Sequence, residues 1–394
     1  MFEANVVIGA NWGDEGKGLM TDHFSCNDSI VVRFNGGAQA GHTVVTPEGV
    51  RHVFHHVGSG TFKGASTYLS KYFIVNPILF FDEYEILTEL GYKPKVFVDL
   101  ECLVTTHYDM MINQMVEESR GVARHGSCGA GINETIKRNQ HAEFKLATYD
   151  LWFKTEREWT AALLAIQTKW VPYRLKELGI DITPEWQDRI NSTTVLDAFL
   201  ERVEYFTTHI RMPESRLFDQ DNAFYVFEGA QGLLLDEDHR FFPYVTHSHT
   251  GLRNVINLAM DFGVEKLSVT YVTRAYATRH GAGPFPGEDI SVSYEDATNV
   301  PNDWQGTLRF GNLNIDLLVE SIKRDMKTST YDLKVDYNVA ITCLDQVADD
   351  INVILDGKVI SIWREHLRQI IKERLHIPVR YLSYGPTHET IRTI

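Results

Sequence analysis

Seven short runs rich in β-branched and aromatic residues punctuate the chain: Asn5–Gly9, Ile30–Phe34, Lys95–Leu100, Ala223–Phe227, Leu267–Arg274, Val339–Thr342 and Pro378–Leu382. Their length and composition predict buried strands. Four longer segments, Trp159–Leu178, Thr194–Ile210, Leu313–Met326 and Trp363–Leu375, carry apolar residues at helical spacing. Strands alternating with helices predict an α/β fold around a mostly parallel sheet flanked by helices. Asp356-Gly357, between Asn352–Leu355 and Lys358–Ile360, predicts a hairpin turn. The stretch from about Gln140 to Asn222 is largely helical in pattern and holds Trp152, Trp159, Trp170 and Trp186. Core packing and dimer surface are its expected roles. No repeat or linker divides the chain, so a single domain over residues 1–394 is expected, with a mainly helical insertion near 140–222.

The loops at the ends of the strand runs carry the candidate chemistry. Asn5–Gly9 leads into Ala10-Asn-Trp-Gly-Asp-Glu-Gly-Lys-Gly18, and Ile30–Phe34 into Asn35-Gly-Gly-Ala-Gln-Ala-Gly-His-Thr43. Ala223–Phe227 leads into Glu228-Gly-Ala-Gln-Gly232, and the run ending at Arg274 into Ala275-Tyr-Ala-Thr-Arg-His-Gly-Ala-Gly-Pro-Phe-Pro286. Ligands of open parallel sheets bind at the carboxyl ends of the strands. Several small-residue loops there predict one composite site lined by backbone.

Composition narrows the partners. With 38 Lys and Arg against 53 Asp and Glu, the net charge is -15. Such a chain is a poor non-specific binder of nucleic acid or anionic membrane, so any phosphate must be held by local loops. No run approaches the roughly 18 apolar residues of a membrane span. Met1-Phe2-Glu3-Ala4-Asn5 lacks the basic start of a signal peptide. Cys26, Cys102, Cys128 and Cys343 lie far apart and read as reduced thiols, so a cytoplasmic location is expected.

Gly13-Asp14-Glu15-Gly16-Lys17-Gly18 comes after a strand and precedes a predicted helix. Its glycines let backbone N–H groups approach phosphate oxygens, and Lys17 supplies a point charge. It departs from the standard phosphate loop, which needs Gly where Asn11 stands and Ser or Thr where Gly18 stands. Asp14 would repel a phosphate unless it holds Mg²⁺ or a substrate N–H. In the second loop His42 is placed to donate to a transferring phosphoryl group, although taken alone it reads as an ordinary loop histidine. Gln231 can read the edge of a base. Asp345, in Cys343-Leu-Asp345, can accept from a guanine edge or cap a helix, the commoner use. His55-His56 and His247-Ser-His249 lack zinc-finger spacing and read as loop histidines.

Taken together, these loops resemble the adenylosuccinate synthetase family. The agreement runs from Gly9-x-x-Trp12-Gly-Asp-Glu-Gly-Lys-Gly18 through Gly41-His-Thr43, Phe227-Glu-Gly-Ala-Gln-Gly232, Asp236-x-Asp238, Pro243-Tyr-Val-Thr246 and Arg279-x-Gly-Ala-Gly-Pro-Phe-Pro286 to Tyr384-Gly-Pro386. The resemblance implies a homodimer with a fold related to P-loop nucleotide hydrolases. It implies a carbon–nitrogen ligase that phosphorylates a purine nucleotide on O6 and displaces that phosphate with L-aspartate. By motif position, Asp14 matches the catalytic base and Mg²⁺ ligand, and Gly41 the backbone Mg²⁺ ligand. His42 matches the residue stabilising the phosphoryl group, and Lys17 the phosphate lysine. Gln39, Ser127, Cys128, Arg138, Gln231 and Thr246 match the monophosphate site, Arg138 as the arginine that reaches the partner subunit's nucleotide. Thr307 and Arg309 match the aspartate site. The triphosphate site takes Gly13, Glu15, Gly16, Lys17, Gly18, Gly41, His42, Thr43, Asp345, Gly385 and Pro386.

The departures bear on the branch. The family's arginine-rich aspartate loop is Asn302-Asp-Trp-Gln-Gly-Thr-Leu-Arg-Phe-Gly311 here, keeping Arg309 without its cationic neighbours. The family's Asn in the second loop is Gln39, and its Ser-Ser-Asn-Thr is Thr246-His-Ser-His-Thr250. Its Thr-Lys-Leu-Asp is Thr342-Cys-Leu-Asp345, which removes the lysine stem expected over guanine. That favours ATP or dATP over GTP as phosphate donor. These changes resemble the phage and archaeal branch that makes 2-amino-2′-deoxyadenylosuccinate from dGMP for DNA containing 2-aminoadenine, which for a phage protein means the host cytoplasm. Asp14 cuts the other way, since phage members often carry a small residue there. The expectation is a ligase acting on dGMP or GMP. Adenylosuccinate formation from IMP is the alternative, and a non-catalytic nucleotide-binding protein the second.

Overall fold

A computed structural model describes residues 2–121, 127–213, 224–296, 306–329 and 333–394; Gly126, Ala223 and Asn302 to Gln305 of the sequence motifs lie outside them. In chain order the strands are β1 (Glu3–Gly9), β2 (Ser29–Arg33), β3 (His42–Val45), β4 (Arg51–Phe54), β5 (Ser66–Leu69), β6 (Ile74–Val75), β7 (Val96–Val98), β8 (Leu103–Val104), β9 (Ile210–Arg211), β10 (Phe224–Gly232), β11 (Lys266–Arg274), β12 (Ala277–Arg279), β13 (Arg309–Gly311), β14 (Leu313–Asn314), β15 (Lys334–Thr342), β16 (Asp350–Leu355), β17 (Lys358–Trp363), β18 (Val379–Ser383) and β19 (Ile391–Thr393). The helices are α1 (Lys17–Phe24), α2 (Pro77–Glu89), α3 (His107–Arg120), α4 (Ile132–Asn139), α5 (Thr148–Phe153), α6 (Glu156–Ala165), α7 (Val171–Leu178), α8 (Pro184–Asn191), α9 (Thr193–His209), α10 (Leu252–Asp261), α11 (Ile315–Met326) and α12 (Arg364–Leu375).

Ten strands form one sheet in the order β19-β18-β15-β11-β1-β10-β2-β5-β7-β9. Every neighbouring pair is parallel except β18 with β19. β1 lies inside the sheet with both faces covered. Ala4, Val6 and Ile8 enter one core, while Val7 packs with Met20, Val226, Val272 and Ala340 on the other face. This is why its sequence is a near-continuous apolar run without strand alternation. The parallel arrangement puts the turns after β1, β2, β10, β11, β15 and β18 along one edge of the sheet, the edge where ligands gather.

A second core joins β5 and β7 to α2, α3 and the helices between Thr148 and His209, and buries Trp159, Trp170 and Trp186. The Trp159–Leu178 segment is not one helix. A π-helical turn, Ile166–Trp170, separates α6 from α7. Pro172 near the start of α7 has no N–H to give the preceding turn, and the widened turn absorbs that loss. The Asp356-Gly357 hairpin forms as expected between β16 and β17, with both residues at positive φ (51° and 70°). The reading of Asp345 as a helix cap is corrected: residues 343–349 run through turns into β16, and Asp345 is exposed. All four cysteines are free. Among the described residues no helix is long and apolar enough to cross a membrane.

Candidate active site

The loop between β1 and α1 folds around its own carboxylate. Gly13 (φ 97°), Asp14 (φ 62°) and Gly16 (φ 94°) all adopt left-handed backbone. The buried Glu15 Oε1 accepts the N–H groups of Asn11 (3.0 Å) and Gly13 (2.8 Å), and Lys17 Nζ donates to Oε2 (2.9 Å). Glu15 is therefore an internal strut, and its side chain is not a triphosphate ligand. The Glu15 carboxylate is spent on the loop's own N–H groups and on Lys17, which leaves its backbone to meet a triphosphate. α1 then starts with Lys17 and presses on β3. A Cβ on Gly18 would lie 2.9 Å from the Thr43 carbonyl oxygen and 3.1 Å from His42 Cβ, so only glycine fits.

Asp14 itself is half-buried. The Arg274 guanidinium, at the end of β11, donates through Nε to the Asp14 carbonyl oxygen, and through its other nitrogens to Tyr276 Oη (2.9 Å) and Asp296 (3.2 Å). Burial raises the Asp14 pKa above its usual value, opposed by Arg274, His280 and Lys17. A carboxylate made more basic in this way is suited to accept a proton.

His42 opens β3 and is 5% exposed. Its Nδ1 lies 2.6 Å from Glu228 Oε1 on β10. Burial opposes ionisation of Glu228, but His42, Arg33 (3.8 Å) and hydrogen bonds from Ser59 outweigh it and hold the carboxyl down, to about 2. An ionised Glu228 only accepts, so His42 Nδ1 carries the proton and Nε2 is left for a ligand. Burial lowers the His42 pKa to about 4, against the pull of Glu228. Lys17 acts on both Asp14 and His42, which ties the base, the lysine and the histidine into one electrostatic unit.

The second loop is locked to the β10 turn. Asn35 bridges to Ala230 through both backbone groups (3.1 and 2.7 Å), and Ser248 Oγ accepts from Gly36 N (3.2 Å). His55 Nδ1 sits on the carbonyls of Ala38 and Ala40 (3.1 and 2.8 Å), shaping the backbone just before Gly41. Both amide atoms of Gln39 are buried without a hydrogen-bond partner, a state a bound nucleotide would relieve. Gln231 (φ 62°) faces Gly13 across the β1–β10 gap, and Thr246 is anchored by its N–H to the Leu235 carbonyl (2.8 Å). Hard oxygen donors suit Mg²⁺. The Asp14 carboxylate and the Gly41 carbonyl are donors of that kind, and phosphate oxygens would complete the shell.

On the far side of β1, the short β12–β13 pair sets Arg279 opposite Arg309. Arg279 is fully buried over the Trp12 ring (4.0 Å) and donates to the carbonyls of Pro284, Tyr244 and Ala282. Burial, with Arg309 nearby, lowers its pKa to about 10. Arg309 holds the carbonyls of Gly281 and Gly283 and pairs with Glu288 at 3.0 Å, while Thr307 is exposed. Asp345 stands on the turn after β15, and Gly385-Pro386 come after β18 on the same edge of the sheet.

Arg138 is engaged within its own chain. It is fully buried, and its guanidinium is taken up by Asp109 (2.9 Å from both Nε and a terminal nitrogen) and the carbonyls of Phe144 and Val104. Contact with a nucleotide in a partner subunit would require it to leave Asp109 first. Arg138→Met should lower unfolding free energy by about 3–5 kcal/mol, because it strands the buried Asp109 carboxylate. Urea unfolding checks this; unchanged stability with lost nucleotide binding would restore the ligand role. Ser127 accepts from Asn113 (2.9 Å), and burial raises the Cys128 thiol pKa. His249 lies with Asp236 and Asp238 within 4.8 Å, but Arg253 donates to its Nε2 (2.7 Å) and pairs with Asp238 (3.1 Å), so a cation already occupies that cluster. Sequence reasoning missed Glu228, Arg33, Ser59 and Arg274 as site residues. Only Glu228 and Arg274 carried a signal, each standing where a strand run meets a glycine-rich or polar loop.

The family model of adenylosuccinate synthetase matches residues 6–323. An adenylosuccinate synthetase of Thermoplasma acidophilum is 29% identical over 380 residues, covering 93% of this chain and 82% of that one. One of Gloeobacter violaceus is 33% identical over 293 residues, covering 72% and 63%. The fully ligated adenylosuccinate synthetase of Plasmodium falciparum superposes with a TM-score of 0.72 at 17% identity over 99% of both chains. Succinoaminodeoxyadenylate synthetase of cyanophage S-2L, solved with dGMP and dATP as energy donor, superposes at 0.61 and 14% identity, covering 99% of this chain and 95% of that one. Six glycine-rich or polar turns on one sheet edge, with a carboxylate, a lysine and a carboxylate-backed histidine among them, thus stand in a chain that belongs to the adenylosuccinate synthetase family, carbon–nitrogen ligases that condense aspartate with a purine nucleotide.

Proposed function

We propose that this ligase takes dGMP, with GMP as its ribonucleotide counterpart, and forms N6-succino-2-amino-2′-deoxyadenylate with ATP or dATP as phosphate donor. The observation that carries the proposal is the coupling of Asp14, Lys17 and His42 at the carboxyl end of β1, beside the start of β3. Asp14 takes the proton from purine N1. The electrons released reach O6, which attacks the γ-phosphorus, and the nucleoside diphosphate leaves. The growing negative charge draws a proton onto His42 Nε2, which then donates to the phosphoryl oxygens while Glu228 holds the ring. The aspartate amine attacks C6, the C6–O bond breaks with its electrons leaving on phosphate, and the amine's surplus proton passes to the departing phosphate or to solvent. Family members use Mg²⁺ and a nucleoside triphosphate; Asp14 and the Gly41 carbonyl would hold the ion, whose chemistry is to neutralise the phosphate oxygens.

Gln39, Ser127, Cys128, Gln231 and Thr246 would contact the monophosphate, and Arg309 with Thr307 the aspartate carboxylates. Lys17, Thr43, Asp345, Gly385, Pro386 and the N–H groups of Gly13, Gly16 and Gly18 would contact the triphosphate. A homodimer and a cytoplasmic location belong to the same proposal. The dGMP reading draws support from the changed aspartate and donor-base loops and from the cyanophage enzyme's fold. Asp14 leaves the substrate open, because it suits guanine as well as the second reading, IMP, for which a base alone suffices.

The test offers dGMP, GMP and IMP in parallel with aspartate, Mg²⁺ and ATP, and monitors product by mass. Turnover of dGMP well above IMP is expected. Turnover of IMP alone would return the chain to AMP formation.

A further inference from the structure

His280 comes directly after β12, half-buried, and its Nδ1 is buried with no hydrogen-bond partner. A polar ring atom in that state costs stability unless something meets it. The backbone around it is held firmly. Arg279 on one side donates to Pro284, Tyr244 and Ala282, and Arg309 grips the Gly281 and Gly283 carbonyls on the other. The neighbouring Arg279 lies over the Trp12 ring at 4.0 Å, two residues before Asp14, which sets the turn against the Asp14 loop. Sheet order decides the side from which it approaches. β1, which leads to Asp14, lies between β11, which leads to His280, and the β10–β2 side, which leads to His42.

A purine has the same three-part order. N1 lies between C6, which carries O6, and C2. If N1 faces Asp14 and O6 faces His42, C2 faces the β11 side. A 2-amino group there carries two N–H bonds. One points along N1 and can reach the second oxygen of Asp14. The other points away and needs its own acceptor.

We propose that His280 Nδ1, held by the clamped turn after β12 on the side of Asp14 opposite His42, accepts the outer N–H of a purine 2-amino group and so selects guanine over hypoxanthine nucleotides. The inference rests on the proposed function, in which N1 meets Asp14 and O6 meets His42. His280 touches substrate but moves no proton in the reaction; it is a specificity-determining residue.

The test compares dGMP with dIMP, which differ only by the 2-amino group, in the unmodified enzyme and in His280→Leu and His280→Asn, by kcat/KM and by calorimetric binding. The Asn amide oxygen can stand where Nδ1 stood. Leu should lower kcat/KM and affinity for dGMP about tenfold, the size of one lost hydrogen bond to a buried group. It should leave dIMP within about twofold, and Asn should keep most of the dGMP preference. Equal losses for both nucleotides in both variants, or no loss for dGMP, overturns the assignment. If Leu fails to fold, Asn decides: it must keep the dGMP-to-dIMP ratio of the parent. Failure of the parent enzyme to bind or turn over dGMP would instead overturn the proposed function, and is read before either variant.

Discussion

Replacing Asp14 with Asn is expected to lower kcat by about 10²–10⁴-fold, the range a positioned general base supplies. The substitution removes the charge and keeps the side-chain shape. Asn tolerates left-handed backbone, so φ of 62° is no obstacle. Arg274 holds the backbone carbonyl of residue 14, not its side chain, so the loop keeps its anchor. Nucleotide binding should therefore survive while N1 keeps its proton. The pH dependence adds a second readout. Burial raises the Asp14 pKa, and the base must be ionised to work. Rate should fall as pH drops through a value above the ordinary carboxylate range, and Asn should lose that limb. Steady-state rates within tenfold of the parent would remove Asp14 from the proton transfer.

His42→Ala should cost about 10²–10³-fold in kcat, as loss of one donor to a developing oxyanion does elsewhere. KM for the triphosphate should change little, because the interaction matures only as charge moves onto the phosphoryl oxygens. Burial favours the neutral imidazole and lowers its pKa to about 4. The approaching phosphate supplies the negative charge that lets Nε2 take a proton. A variant that loses affinity for triphosphate but keeps kcat would make His42 a binding group only. Melting temperatures guard the interpretation, since Glu228 keeps Ser59 and Arg33 as partners after the substitution.

How far the site was legible depended on what each residue answers to. Asp14, Lys17, His42 and Gln231 sit in loops whose glycines mark them, and the runs before those loops became β1, β2 and β10. Glu228 and Arg33 answer to residues far along the chain. His42 is 186 positions from Glu228, a pairing only the sheet order creates. A buried ion pair and an anion-binding arginine use the same residue type, so the Arg138 pairing with Asp109 was not legible in the sequence. The Asp356-Gly357 turn was readable, and it forms between β16 and β17 in the structure. The two-strand pairs β3–β4 and β12–β13 were not, because strands of three or four residues carry too little periodicity.

Gly18 has a consequence for descent. A standard phosphate loop places a hydroxyl residue at that position, and the hydroxyl ligates the nucleotide's cation. Here α1 and β3 are so close that the first carbon of any side chain would strike the Thr43 carbonyl. No single codon change restores the hydroxyl without first parting helix from strand. In the proposed arrangement the cation's protein ligands would come instead from two separate loops, through Asp14 and the Gly41 carbonyl.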